Sequence, residues 1–287
     1  GLQPLGGGVA PTRTRGLVDT EPLRQFLAEA LHAVEGELTG IEHNLRHGTL
    51  RAVALSTSSY TTGQSVTWVQ GSDIAEWERP LRTSRNSTLT VEHVMASSAL
   101  PLFFPAVELD QAWYGDGGMR LAAPLSPALH LGASKILAIS TRYGKSQAEE
   151  EDPQVLGYPP PAQIVGVLMN SIFLDLLDHD ALRLERLNDL LAQLEPHERG
   201  GLRPIRLFVT RPSRDLGRMA SQFEPQLPRG FRFLTRGLGT RETESPDFVS
   251  LVLFQPDYLR ALMKVGEEDA DARMPEILAF LDDETPA

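Results

Sequence analysis

The sequence predicts an α/β fold: a mostly parallel sheet with helices on both faces. Short, almost wholly apolar runs such as "KILAIS" (135–140) and "PIRLFVT" (204–210) have the length and composition of strands buried on both faces, the usual condition of a parallel sheet. Segments with helical spacing alternate with such runs, and that alternation builds layered α/β domains. The chain has 287 residues, 41% of them apolar, so it is long enough to bury a substantial core.

Residues 1–16, rich in Gly, Pro, Thr and Arg, read as an irregular opening loop. "VDTEPLRQFLAEALHAVEGEL" (18–38) then starts a helix. Asp19 or Thr20 can cap it, Pro22 suits its first turn, and Leu23, Phe26, Leu27, Ala30 and Leu31 make one apolar stripe. Two strands are expected at 50–58 and 64–70, joined by a turn near Thr62-Gly63. "TVEHVMASSALPLFFPAVEL" (90–109) starts as a short helix that must stop around Leu100, because a residue before proline disfavours the α conformation.

Pro124 to Gly132 suggests another helix, ahead of the strand "KILAIS". Residues 144–163 carry four prolines and an acidic run, which marks a linker between a first part, 1–143, and a last part, 164–287. A long helical segment follows from about Ala162, then the strand "PIRLFVT" and one or two terminal helices from Asp257. There is no internal repeat and no heptad array.

Composition excludes several function classes. The chain has no cysteine, which removes disulfides, zinc–thiolate sites and thiol nucleophiles together. Its formal net charge of −11 repels nucleic acid and anionic membrane, so no nucleic-acid partner is expected. No apolar run is long enough for a membrane-spanning helix, and the opening residues lack the layout of a signal peptide.

One stretch raises a chemical question. "YGDGG" (114–118) places Asp116 between glycines. Asp-Gly is a favoured turn pair, since Asp tolerates and Gly supplies positive φ, and local sequence alone reads it as a turn. The same turn can also end a strand and present Asp116 at the rim of a sheet, with glycines that let another backbone or a substrate approach closely.

The surrounding block, "ASSALPLFFPAVELDQAWYGDGGMRLAAPLSPALHLGASKILAIS" (96–140), strongly resembles the patatin-like phospholipase family. There a helix ending in Ser-Ala-x-Pro-x-x-Phe-Pro precedes a strand pair, an Asp-Gly-Gly or Asp-Gly-Ala turn, a helix ending in Leu-Gly-Ala and a buried strand. "LVDTEPLRQFL" (17–27) fits the segment upstream, and weaker similarity runs through "NSIFLDLLDHDALRLERLN" to "TRPSRDLG". The resemblance implies a patatin-like layered fold and serine acyl hydrolysis by a Ser-Asp dyad without histidine. Asp116 would be the catalytic acid, with Gly117 and Gly118 shaping its turn. A serine is a weak nucleophile until a neighbouring base accepts its proton. The resemblance implies no cofactor and no metal. It implies a lipid or acyl-ester substrate, leaves room for peripheral membrane contact, and raises self-association or a partner chain.

The chain departs from the family in one respect. It contains no Gly-x-Ser-x-Gly elbow, so no nucleophile is expected within it. Ser134 and Ser146 lack the closing glycine, and Gly6–Gly8 continue as "VAPT" rather than as the family's oxyanion loop. In the family both motifs precede the segment matching "LVDTEPL". The fold's N-terminal strands are therefore expected ahead of Gly1, and the chain alone is expected to be inactive. A non-catalytic binding module and one half of a split hydrolase are the alternatives. Ser97 and Ser98 read as packing at a helix end, and His130 as a helix-surface residue. Asp175 and His179 share the spacing of a metal pair but no third ligand joins them, and the arginines 203, 206, 211, 214 and 218 read as an ion-paired surface. Met95, Leu100, Leu102, Phe103 and Phe104 read as core.

Overall fold

Strands β1 (Ala52–Ser59) and β2 (Ser65–Gly71) pair antiparallel across a turn in which Gly63 has φ +70°. That is the turn the sequence marks at Thr62-Gly63. The computed structural model describes residues 16, 18–144, 149, 158–159, 161–173, 175–227, 250 and 253–283. The chain divides into two units, Gly1–Ala122 and Ala123–Ala287.

In the first unit β3 (Glu78–Arg79), β4 (Arg82–Asn86), β5 (Val107–Leu109) and β6 (Ala112–Asp116) complete a sheet of order β3-β4-β2-β1-β6-β5. The α/β class stands, but this sheet is mixed rather than mostly parallel. Only β2 and β4 run parallel; the pairs β1–β2, β1–β6, β3–β4 and β5–β6 are antiparallel. Three of those antiparallel pairs are consecutive strands on short connections, and a parallel pair needs a crossover of a dozen or more residues. The β5–β6 hairpin turns at Asp110 (φ +48°) and Gln111 (φ +63°), a two-residue turn with both φ values positive.

Helices α1 (Glu21–Ala30), α2 (Thr39–Arg46) and α3 (Val91–Ser97) belong to this unit. At the start of α1, Asp19 Oδ1 accepts the Glu21 N–H at 3.0 Å and Pro22 sits in the first turn. The apolar stripe expected on α1 is narrower than its spacing suggests. Leu23 and Leu27 pack on the core, whereas Phe26 is 63% exposed. Arg24 of α1 bonds Glu92 of α3 at 2.6 Å. Helix α3 ends ahead of Pro101, as that proline requires.

The core joins Val66, Trp68, Leu89, Val91, Met95 and Tyr114. Trp68 donates its indole N–H to Thr57 Oγ1 at 2.9 Å and meets His93 and Tyr114 edge-on. The buried indole N–H is thus matched by an acceptor within an aromatic cluster.

The second unit holds α4 (Ser126–His130), β7 (Lys135–Ile139), α5 (Pro161–Phe173), α6 (Asp175–Ala192), β8 (Arg206–Thr210), α7 (Leu216–Ser221), α8 (Pro256–Ala272) and α9 (Met274–Asp282). The two apolar runs that predicted a parallel sheet do pair in parallel, as β7 and β8, in a two-stranded sheet of their own. The strand at 135–139, which the sequence reading groups with residues 1–143, lies in this unit. Leu125, Ile136, Leu184 and Ile205 form its core beside the sheet. Asn188 fixes α6 to the start of β8, donating to the Ile205 carbonyl at 2.8 Å and accepting its N–H at 3.0 Å. The linker expected at 144–163 and the opening loop fall mainly outside the described residues. No described helix is long and apolar enough to cross a membrane.

Candidate active site

Strand β6 leaves the sheet at Asp116, and two neighbours hold its last residue. Thr57 of β1 stands opposite Asp116, and the Asp116 N–H donates to the Ala99 carbonyl at 3.0 Å. Ala99 lies just past α3, so the "ASSALP" helix end and the "DGG" turn are joined by this bond. The chain then enters a short 3-10 turn, Gly117–Met119.

The glycine after Asp116 is there for space rather than for handedness. A Cβ on Gly117 would lie 2.2 Å from the Ser56 carbonyl oxygen, a distance no side-chain carbon tolerates. Neither Asp116, Gly117 nor Gly118 has positive φ, which corrects the expectation that the Asp-Gly pair is a positive-φ turn. Gly117 lets the turn back directly onto β1, and Asp116 stays at the end of the ladder.

The carboxylate is half-buried, and its two oxygens differ. Oδ1 accepts the Gly118 N–H at 2.8 Å. Among the described residues Oδ2 accepts no hydrogen bond. Burial pushes the Asp116 carboxyl above its ordinary range, and the Gly118 N–H pulls it part of the way back. Tyr60 stands close by. Its phenol is pushed up by burial and then by the negative charge of Asp116, and its hydroxyl lies 4.0 Å from Met119 Sδ. A Cβ on Gly115 would meet the Tyr60 hydroxyl at 2.3 Å, so Gly115 makes room for that ring.

The other residues considered from sequence have ordinary tasks. Ser97 donates its hydroxyl to the Ser56 carbonyl at 2.8 Å, and Ser98 donates to the Val94 carbonyl at 2.9 Å. His130 is exposed on α4 with Nδ1 2.8 Å from the Ser126 carbonyl oxygen. Asp175 pairs with Arg142 at 2.7 Å, and among the described residues no group of three or more His, Asp or Glu side chains can hold a metal. Arg206 pairs with Asp283, Arg211 with Asp178 and Arg214 with Glu268, while Arg203 bonds the Gly132 carbonyl. Met95, Leu100 and Phe103 are buried, but Leu102 is 81% exposed.

Sequence reasoning missed Tyr60 and the hydroxyl-rich course of β1, "STSS" (56–59). Ser58 is 1% exposed and its Oγ has no hydrogen-bond partner among the described residues. The run of small hydroxyl residues ahead of "YTTG" was the available signal.

The first unit is thus an α/β body that ends a sheet strand on a half-buried carboxylate pinned by its own turn. Residues 7–129, which contain that strand and turn, match the family model of the patatin-like phospholipases. No curated protein and no solved structure matches the chain.

Proposed function

We propose that the protein is a serine lipid acyl hydrolase in which Asp116 is the general base of a Ser-Asp dyad. The observation that supports this reading is the asymmetry of the carboxylate. One oxygen is occupied by the Gly118 N–H, the other is without a hydrogen-bond donor among the described residues, and burial raises the group's basicity. Gly117 and Gly118 shape the turn. The substrate is a phospholipid or related acyl ester, in keeping with a family that acts on lipids.

In this reaction a serine hydroxyl gives its proton to Asp116 Oδ2 while its oxygen attacks the acyl carbonyl carbon. The tetrahedral oxyanion collapses and expels the alcohol, which takes the proton back from Asp116. Water then attacks the acyl-serine, Asp116 again accepts the proton, and the carboxylic acid leaves with the serine restored. The oxyanion needs backbone donors aimed at it, which the family places in a glycine-rich loop.

The 287 residues hold no Gly-x-Ser-x-Gly, so the serine of this dyad stands outside them. That absence also favours a second reading, a binding module that keeps the lipid-facing fold without turnover. Ester hydrolysis by the protein isolated from its own source separates the two. The dyad reading expects turnover that Asp116→Asn lowers by ~10²–10⁴-fold. Lipid binding with turnover at background supports the binding module instead.

A further inference from the structure

The loop that follows α3 turns at Pro101 and Leu102. Phe104 N–H donates to the Leu100 carbonyl across the turn, and Val18 N–H donates to the Phe103 carbonyl beside it, each at 3.0 Å. Leu102 has φ +69°. A positive φ directly after a turn proline suits glycine or asparagine, because a Cβ is crowded there. Leucine takes that place here, and it is 81% exposed.

The residue is therefore costly twice, in its backbone and in the apolar surface it shows to water. Its neighbours differ. Leu100 and Phe103 are each only 8% exposed. The loop thus buries an apolar residue on either side of the turn and holds a single leucine out between them.

Its position ties it to the site. Ala99 accepts the Asp116 N–H at 3.0 Å. Leu102 stands three residues further on, at most about 11 Å along the chain. The projecting leucine and the carboxylate's turn are joined by that one bond.

What the leucine meets follows from its size and from the charge of the chain. A stable protein partner takes about 800 Å² from each side, and one leucine between buried neighbours offers far less. A fluid lipid surface needs no matching patch and accepts a lone apolar side chain. The net charge of −11 disfavours an anionic surface, which leaves a zwitterionic or uncharged one.

We propose that Leu102 is a membrane-entering tip, which seats in the acyl layer of a zwitterionic lipid surface and holds the Asp116 turn against it. This rests on the lipid-hydrolase reading of the Asp116 site. Leu81 provides the comparison. It too follows a proline, has φ +61° and is 60% exposed. It turns the β3–β4 hairpin, however, at the opposite edge of the sheet from β5 and β6.

Co-sedimentation with phosphatidylcholine vesicles tests the tip. The 287-residue chain is expected to bind, and Leu102→Gly to bind ~10-fold more weakly. The same variant is expected to melt at or above the parent, because glycine relieves the turn. Leu81→Gly is expected to share that thermal gain and to bind as the parent does. A parent that does not bind, unchanged binding in Leu102→Gly, or an equal loss in Leu81→Gly would each overturn the tip. So would a Leu102→Gly variant that melts below the parent, since Leu102 would then be a packing residue. Turnover by the protein isolated from its source separates the tip from the dyad. Leu102→Gly is expected to lower hydrolysis of vesicle phospholipid ~10-fold more than hydrolysis of a water-soluble short-chain ester, whereas Asp116→Asn lowers both alike. Equal losses on the two substrates in Leu102→Gly would overturn the tip and leave the dyad standing. Vesicle binding that depends on Leu102 in a protein without ester turnover would reject the dyad and keep the tip.

Discussion

Asp116 Oδ1 accepts the Gly118 N–H at 2.8 Å, so the carboxylate is fixed by an amide only two residues further along its own turn. The bond orients the side chain without neutralising it. The stronger influence on the group is burial, which raises its proton affinity. A carboxylate held in this way costs stability when charged, and that cost has a measurable pH signature.

The folded pKa of Asp116 lies above the unfolded one. Its contribution to stability is therefore complete at pH below the ordinary aspartate value, near 3.9, and is lost as pH rises through the raised folded value. Asp116→Asn keeps an acceptor for Gly118 and removes the charge. The variant is expected to melt at or above the parent at pH 7, with the gain vanishing below about pH 4. Thermal unfolding of the two proteins across pH checks this; a variant less stable at every pH would mean that the carboxylate is structural.

Gly117→Ala is expected to destabilise the protein by about 1–3 kcal/mol, because the methyl must displace the β1 backbone at Ser56. Gly40, in helix α2, has nothing within 4 Å of its Cβ position, and Gly40→Ala is expected to stabilise by roughly 0.5–1 kcal/mol. Urea unfolding of both variants makes the comparison. Equal and small effects would remove the close-approach account of the "DGG" turn.

His93 supplies an acid limit. Burial pushes its imidazole down, and Asp110 and Glu92 push weakly the other way. Nδ1 lies 3.2 Å from the Thr90 N–H, an acceptor role that the neutral ring with its proton on Nε2 can fill. A depressed histidine contributes stability present above the unfolded value, near 6.5, and lost as pH falls through the folded value. Stability is expected to decline on acidification below about pH 6.5, and His93→Gln to flatten that part of the profile. An unchanged profile in the variant would assign the decline elsewhere.

Thr57→Val leaves the Trp68 indole N–H without its acceptor in the core, at an expected cost of about 1–3 kcal/mol. Thr57→Ser keeps the hydroxyl and is expected to recover most of that loss. Matching losses in both variants would show that the methyl group, not the hydrogen bond, matters here.

Much of this fold could be read from local chemistry. Pro22 and Asp19 mark the start of α1, Gly63 the β1–β2 turn, and Pro101 the limit of α3. The parallel pairing of β7 and β8 follows from their apolar runs. What could not be read lies where ordinary residues do unusual things. Asp110 and Gln111 make the β5–β6 turn with positive φ and no glycine, so that hairpin left little local trace. Phe26 fits the helical stripe of α1 yet is exposed, because spacing identifies a face but not what covers it. At the site, "DGG" identified Asp116 as a candidate, while the role of Gly117 depends on Ser56, some sixty residues away in sequence and in contact only through the β1–β6 ladder. Tyr60 enters the site by the same long-range pairing.

The most direct test of the account is ester hydrolysis by the protein isolated from its own source, with and without Asp116→Asn. The account predicts phospholipid or acyl-ester turnover that falls by ~10²–10⁴-fold in the variant while its melting temperature holds or rises. Turnover that survives the substitution unchanged would contradict Asp116 as the base.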